Sequence, residues 1–133
     1  MAGDVVFVGG PLKFQLEFAD VDPMDPGVQA RLQVEYSGRS QNLKWTAAHI
    51  SVEYGALVRF ENELRDGCDA RLLDMSEYEV LHFERQSSQE YLTINPPSQR
   101  QSQDGECIAI RLTIDAGSMR ALYAAFDQFG KWW

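Results

Sequence analysis

A chain of 133 residues fits one domain, 1–133, long enough to bury a core without a disulfide or metal to staple it. A hydrophobic fraction of 44% excludes disorder, and the lack of any run of about 18 apolar residues excludes a membrane-spanning helix. Twelve basic residues against twenty acidic ones give a net charge of −8, split six against ten on each side of the Asp66 boundary, a balance that repels nucleic acid and anionic membranes and favours a basic partner.

The first residues, MAGDVVFVGGPLKF, lack the form of a signal peptide: Asp4 stands where positive charge belongs, and Gly9, Gly10 and Pro11 break the apolar run. A cytoplasmic, soluble protein is therefore expected. The run Val5–Val8 reads as a strand ending in the Gly9-Gly10-Pro11 turn. Leu12, Phe14, Leu16 and Phe18 then alternate with polar residues, the period-two pattern of a strand with one buried face. The segment DVDPMDPG, Asp20 to Gly27, reads as a loop, because Pro23 and Pro26 cannot join a ladder. Leu32, Val34 and Tyr36 begin a second alternating pair, continued after Ser37-Gly38 by Leu43, Trp45 and Ala47.

From Ile50 the period changes. Ile50, Tyr54, Leu57, Phe60 and Leu64 fall at helical spacing, with Ser51 as the expected N-cap and Gly67 as the stop. Three strands are expected next, over Ala70–Met75, Val80–Gln86 and Glu90–Ile94, the second with Leu81 and Phe83 inward and His82 and Glu84 outward. A polar loop, Asn95–Gly105, precedes a strand Cys107–Ile114 with Ile108, Ile110, Leu112 and Ile114 on one face. Asp115 is then read as the cap of a last helix running to the chain end, with Met119, Leu122, Phe126, Phe129 and Trp133 on its apolar stripe. The expected fold is α+β: a mainly antiparallel sheet of about six to eight strands with two amphipathic helices packed on it as a two-layer sandwich. Both halves read strands-then-helix, without residue similarity enough to define a repeat.

Motifs for catalysis or cofactors are missing. There is no Gly-rich dinucleotide fingerprint and no phosphate-binding loop, so no cofactor is expected. His49 and His82 have no second His or Cys at ligand spacing, and Cys68 and Cys107 match no zinc pattern, so no metal is expected and both cysteines read as free thiols. Asp20, Asp22 and Asp25 resemble half of a calcium loop but lack its glycine and closing glutamate. Glu77 and Glu79 flank Tyr78 in MSEYEV; in extended backbone both carboxylates point the same way, which suits either an acid–base pair or a solvated acidic turn.

The order of LKFQLEF, ARLQVEYSGRSQNLKWTAAHISVEYGALVRFENEL and IAIRLTIDAGSMRALYAAFDQF resembles the WapI-type immunity proteins of bacteria, small cytoplasmic proteins encoded beside polymorphic toxins. The likeness rests on the hairpin start, on Trp45, Phe60 and Leu64 around the first helix, and on the terminal helix from Met119 to Phe129. It implies a non-enzymatic protein that docks on a cognate toxin domain and neutralises it. The expected partner surface comprises Glu61, Asp66, Asp69, Asp74, Glu77, Tyr78 and Glu79, with the Asp20–Asp25 loop in reserve. Two alternatives stand beside it: a small enzyme or ligand-binding domain using His49, Cys107, Glu77 and Glu79, and a homo-oligomer subunit using Trp132 and Trp133.

Overall fold

The computed structural model describes residues 3–21, 27–96 and 109–129. The chain is α+β, as its patterning implies, but its strands divide into two sheets where one was expected. Four strands, β1 (Gly3–Gly9), β2 (Leu12–Val21), β3 (Gly27–Ser37) and β4 (Asn42–Glu53), form an antiparallel meander, followed by helix α1 (Tyr54–Asp66). The order then recurs: β5 (Asp69–Leu73), β6 (Glu79–Gln86), β7 (Gln89–Ile94) and β8 (Ile110–Ile114) form a second antiparallel meander, followed by α2 (Ser118–Gln128). The division has a local cause. Helix α1 begins at the residue after β4, so the chain leaves the first sheet before β5 starts and β5 pairs only with β6.

Alternation sets the inner face of each sheet. Leu12, Phe14, Leu16 and Phe18 of β2 are fully buried, as are Val28, Leu32 and Val34 of β3, while intervening polar residues face outward. The buried side chains make one core, crossed by a chain of aromatic contacts. Phe14 of the first sheet meets Phe83 of the second at 6.1 Å between ring centroids, Phe83 meets Phe60 of α1 at 6.1 Å, and Phe60 meets Phe126 of α2 at 5.7 Å. Edge-on and tilted pairs at these separations each add about 0.5–1.5 kcal/mol beyond area burial. The Tyr36 hydroxyl donates to the Thr113 carbonyl at 3.0 Å and links β3 to β8.

Helix α1 starts later than expected. Ile50 and Ser51 belong to β4, which continues to Glu53, so Ser51 caps nothing and Glu53 stands at the N-cap. A bulge explains the misreading. Ala30 pairs with Ile50 but Leu32 pairs with Ala47, so Ala48 and His49 together oppose Arg31. The extra residue changes which parity faces inward, from Leu43, Trp45 and Ala47 to the buried Ile50 and Val52, and the break in period imitates the start of a helix. The end of α1 matches expectation: Gly67 is left-handed at φ 74° and its N–H donates to the Glu63 carbonyl.

At α2 the cap moves from Asp115 to Gly117, whose φ is 90°, and Asp115 contributes only its carbonyl, which accepts from the N–H and hydroxyl of Ser118. The helix ends at Gln128, since Phe129 is extended, so the expected run to the chain end does not occur. Phe129 still packs on Phe18 at 5.2 Å. Cys107, Ile108, Trp132, Trp133 and the loop residues Asp22 and Asp25 lie outside the described residues. No helix among the described residues is long and apolar enough to cross a membrane.

Candidate functional site

The turn between β5 and β6 is a densely hydrogen-bonded polar feature of the surface. Asp74 builds it: its carboxylate Oδ1 accepts from the N–H of Ser76 at 2.9 Å and of Tyr78 at 3.0 Å. Its own N–H donates to the Tyr78 carbonyl, and its carbonyl accepts from Glu77. The turn is tied to the first sheet by Met75, whose N–H donates to the Ser51 carbonyl at 2.8 Å. Tyr78 packs against the core and donates its hydroxyl to the Pro96 carbonyl. Glu79 is held by the Arg71 guanidinium at 2.8 Å and by the Asn95 side-chain amide at 3.2 Å. Glu77 is exposed at the tip with a left-handed φ of 62°.

That left-handed backbone corrects one expectation. Glu77 and Glu79 do not project together from an extended segment: Glu79 starts β6 in an ion pair, while Glu77 is turned toward a different neighbourhood. It lines a small cleft of about 120 Å³ with Glu53, Gly55, Arg59 and Asp74. Three carboxylates against one guanidinium give this cleft a net negative charge. Glu53 also sits at the N-terminus of α1, where the aligned peptide dipoles favour a carboxylate. Patterning alone missed Glu53 and Arg59, because the cleft forms only when the β5–β6 turn hydrogen-bonds to β4.

The other expected partner residues lie elsewhere. Glu61 is only 9% exposed, on the core side of α1 with Leu57, Phe60 and Leu64. Asp66 pairs with Arg65 at 3.3 Å, beside a cleft of about 240 Å³ that also carries Arg85 and Arg120, a cationic neighbourhood. Asp69 begins β5 and contacts His82 Nε2 at 2.8 Å. The length of β5, at about 3.3 Å per residue, separates this group from the Asp74–Glu79 turn. The structure thus gathers Asp74, Glu77, Tyr78 and Glu79, and sets Glu61, Asp66 and Asp69 apart from them.

His49 is exposed at the β4 bulge. Cys68 is an exposed free thiol. The Asp69–His82 pair has the composition of an acid–base couple, but it sits on the outer face of the second sheet, and none of the clefts described here is lined by His82. A larger cleft, about 530 Å³, lies between the β3–β4 turn and β8, lined by Tyr36, Arg39, Leu43, Ile110 and Arg111 among others. Among the described residues its lining has two guanidiniums, polar and apolar side chains, and no carboxylate or imidazole.

Buried polar groups are few. Glu90 of β7 is the principal one among the described residues: it is fully buried and its carboxylate caps α2, accepting from Gly117 N–H at 2.6 Å, Met119 N–H at 2.8 Å and Arg85 Nη2 at 3.1 Å. This completely bonded carboxylate joins the second sheet to the second helix, a structural task.

No model of a known protein family matches the chain, and no curated protein and no solved structure is significantly similar to it.

Proposed function

We propose that the protein is an immunity or inhibitor protein, which binds a cognate, basic toxin domain and neutralises it without chemistry of its own. The observation that carries the reading is the acidic cleft of Glu53, Asp74 and Glu77 on a turn fixed by five hydrogen bonds among Asp74, Ser76, Glu77, Tyr78 and the Met75–Ser51 link. A fixed cluster of like charges attracts an oppositely charged groove and loses little entropy on docking. The overall charge of −8 adds long-range attraction, and the resemblance to immunity proteins supplies the class of partner.

The reading predicts a toxin domain encoded beside this protein, and the test is co-expression of the two, read as cell survival, together with association kinetics of the purified pair at two salt concentrations. Protection is expected, with an association rate that falls as salt rises. Glu77→Lys and Asp127→Lys change the net charge equally; Asp127 is exposed on α2, outside the cleft. Glu77→Lys is expected to slow association several-fold more than Asp127→Lys. A toxin that kills regardless, with no complex formed, rejects the proposal. Equal slowing by both variants rejects the cleft as its focus.

A further inference from the structure

We propose that Asp69, His82 and Glu84 form an open binding site for a divalent transition-metal cation of the zinc, cobalt or nickel type. Each residue offers one ligand atom, and the three atoms lie within 4.8 Å of one another. The sheet produces this arrangement. His82 and Glu84 are two apart on β6 and share its outer face, while Asp69 of β5 is the direct cross-strand partner of Glu84. Sequence spacing conceals the site, because Asp69 lies thirteen residues from His82 along the chain and meets it only through strand pairing.

Two features favour a cation here over an ordinary solvated face. Carboxylates placed directly opposite each other on paired strands repel, and Asp69 and Glu84 hold those positions. The side chains of His82 and Glu84 are only 15% and 16% exposed and that of Asp69 is 51% exposed, so solvent reaches the pair from the Asp69 side and only partly screens that repulsion. A dication relieves it. Two carboxylates and a neutral imidazole supply charge −2 and the mixed nitrogen and oxygen donors that suit first-row metals. Asp69 Oδ1 and His82 Nε2 are 2.8 Å apart, a hydrogen-bond distance, and need to spread only to about 3.3 Å to share one tetrahedral metal. The metal takes the place of the proton between them, which moves to Nδ1 or leaves to solvent.

Arg111 bonds Glu84 Oε1 at 3.1 Å while its guanidinium lies 4.2 Å from the centre of the Tyr91 ring. A carboxylate has two oxygens and about four lone pairs, so Glu84 can hold Arg111 and a cation together, with Arg111 fixing its orientation. Asp69 is half exposed, so water or a partner's side chain can reach the site from that side. Because only neutral imidazole ligates, acidification releases the metal.

The test is titration of the metal-free full chain with Co(II), followed by visible d–d absorption, then displacement by Zn(II). Saturation at one equivalent is expected, with a melting temperature that rises with zinc. Asp69→Asn and Glu84→Gln should each weaken binding at least about tenfold. His82→Gln should abolish it and His49→Ala should preserve it, with metal-free unfolding midpoints confirming that each variant folds. Should a variant fail to fold, Co(II) broadening of the two histidine resonances in the wild type locates the site, and His82 is the one expected to broaden. No saturable absorption, a thiolate charge-transfer band, loss of binding in His49→Ala, or broadening confined to His49 would each overturn the proposal.

Discussion

Replacing Glu90 by Gln tests whether a buried carboxylate joins the second sheet to α2. The native group accepts two backbone N–H bonds at 2.6 and 2.8 Å and one from Arg85 at 3.1 Å. A carboxamide keeps the shape but has one acceptor oxygen, and its NH2 points at a donor. One buried N–H at the first turn of α2 is therefore left unpaired, at a cost of about 1–3 kcal/mol. Loss of negative charge at the helix N-terminus adds about 0.3–1 kcal/mol. The expected total is roughly 1–4 kcal/mol, a large share of the ~5–15 kcal/mol that holds a domain together. Glu90→Ala adds a cavity and should cost roughly 3–5 kcal/mol. Arg85→Gln separates the contributions: Arg85 is 43% exposed, both backbone bonds to Glu90 survive its removal, and the expected loss is under about 1 kcal/mol. Urea unfolding at constant slope measures all three. A Glu90→Gln midpoint equal to that of the wild type, or an Arg85→Gln loss as large as that of Glu90→Gln, refutes the reasoning.

Phe60→Ala removes the ring that contacts both Phe83 and Phe126, and should destabilise the fold by about 3–5 kcal/mol in the same urea assay. Ser87 turns the β6–β7 hairpin with φ 58°, so Ser87→Gly relieves left-handed strain and should raise the melting temperature, corresponding to a gain of up to about 1 kcal/mol. Tyr36→Phe deletes the hydroxyl bond from β3 to β8 and should cost about 0.5–1.5 kcal/mol while leaving the circular dichroism spectrum unchanged.

Where one rule governed a stretch, the sequence was legible. Period two marks β6 and β7 within a residue and β2 from Leu12 to Phe18, three residues short of its end at Val21, and Gly67 marks the end of α1, because only glycine enters a left-handed C′ position without strain. Legibility failed where two rules met. The β4 bulge changed the parity of buried residues at Ile50 and resembled a change of period, which hid the last residues of the strand. A similar irregularity in β6 leaves Val80 without a β5 partner between Leu72–Leu81 and Leu73–Glu79, so adjacent Val80 and Leu81 are both buried against any simple alternation. Glu90 carried a signal that composition obscured: it shares parity with the buried Leu92 and Ile94, so an inward glutamate was implied, and an inward glutamate needs donors. Of the proposed partner surface, the Asp74–Glu79 turn was visible as a polar cluster. Its link to Glu53 was not, because the Met75–Ser51 hydrogen bond joins residues from different sheets.

The placement of the acidic cleft follows from the division into two meanders. Each sheet satisfies its interior strands by pairing, which leaves β4 and β5 as edge strands that follow one another in the chain through α1. The edge of β4 carries unpaired backbone groups, and the β5–β6 turn supplies one partner by reaching back to Ser51, which makes a seam there. That reach carries Asp74 and Glu77 to Glu53, which lies more than twenty residues before either of them in the chain. Their mutual repulsion is a standing cost that solvent only partly screens, at a Debye length of about 8 Å in physiological salt. A basic groove arriving at the seam would remove that cost and contact both sheets at once. Charge concentrated by the fold in this way distinguishes the cleft from the evenly spread acidity of the remaining sequence, and it is the reason Glu77 should matter more to association than an equal charge on α2.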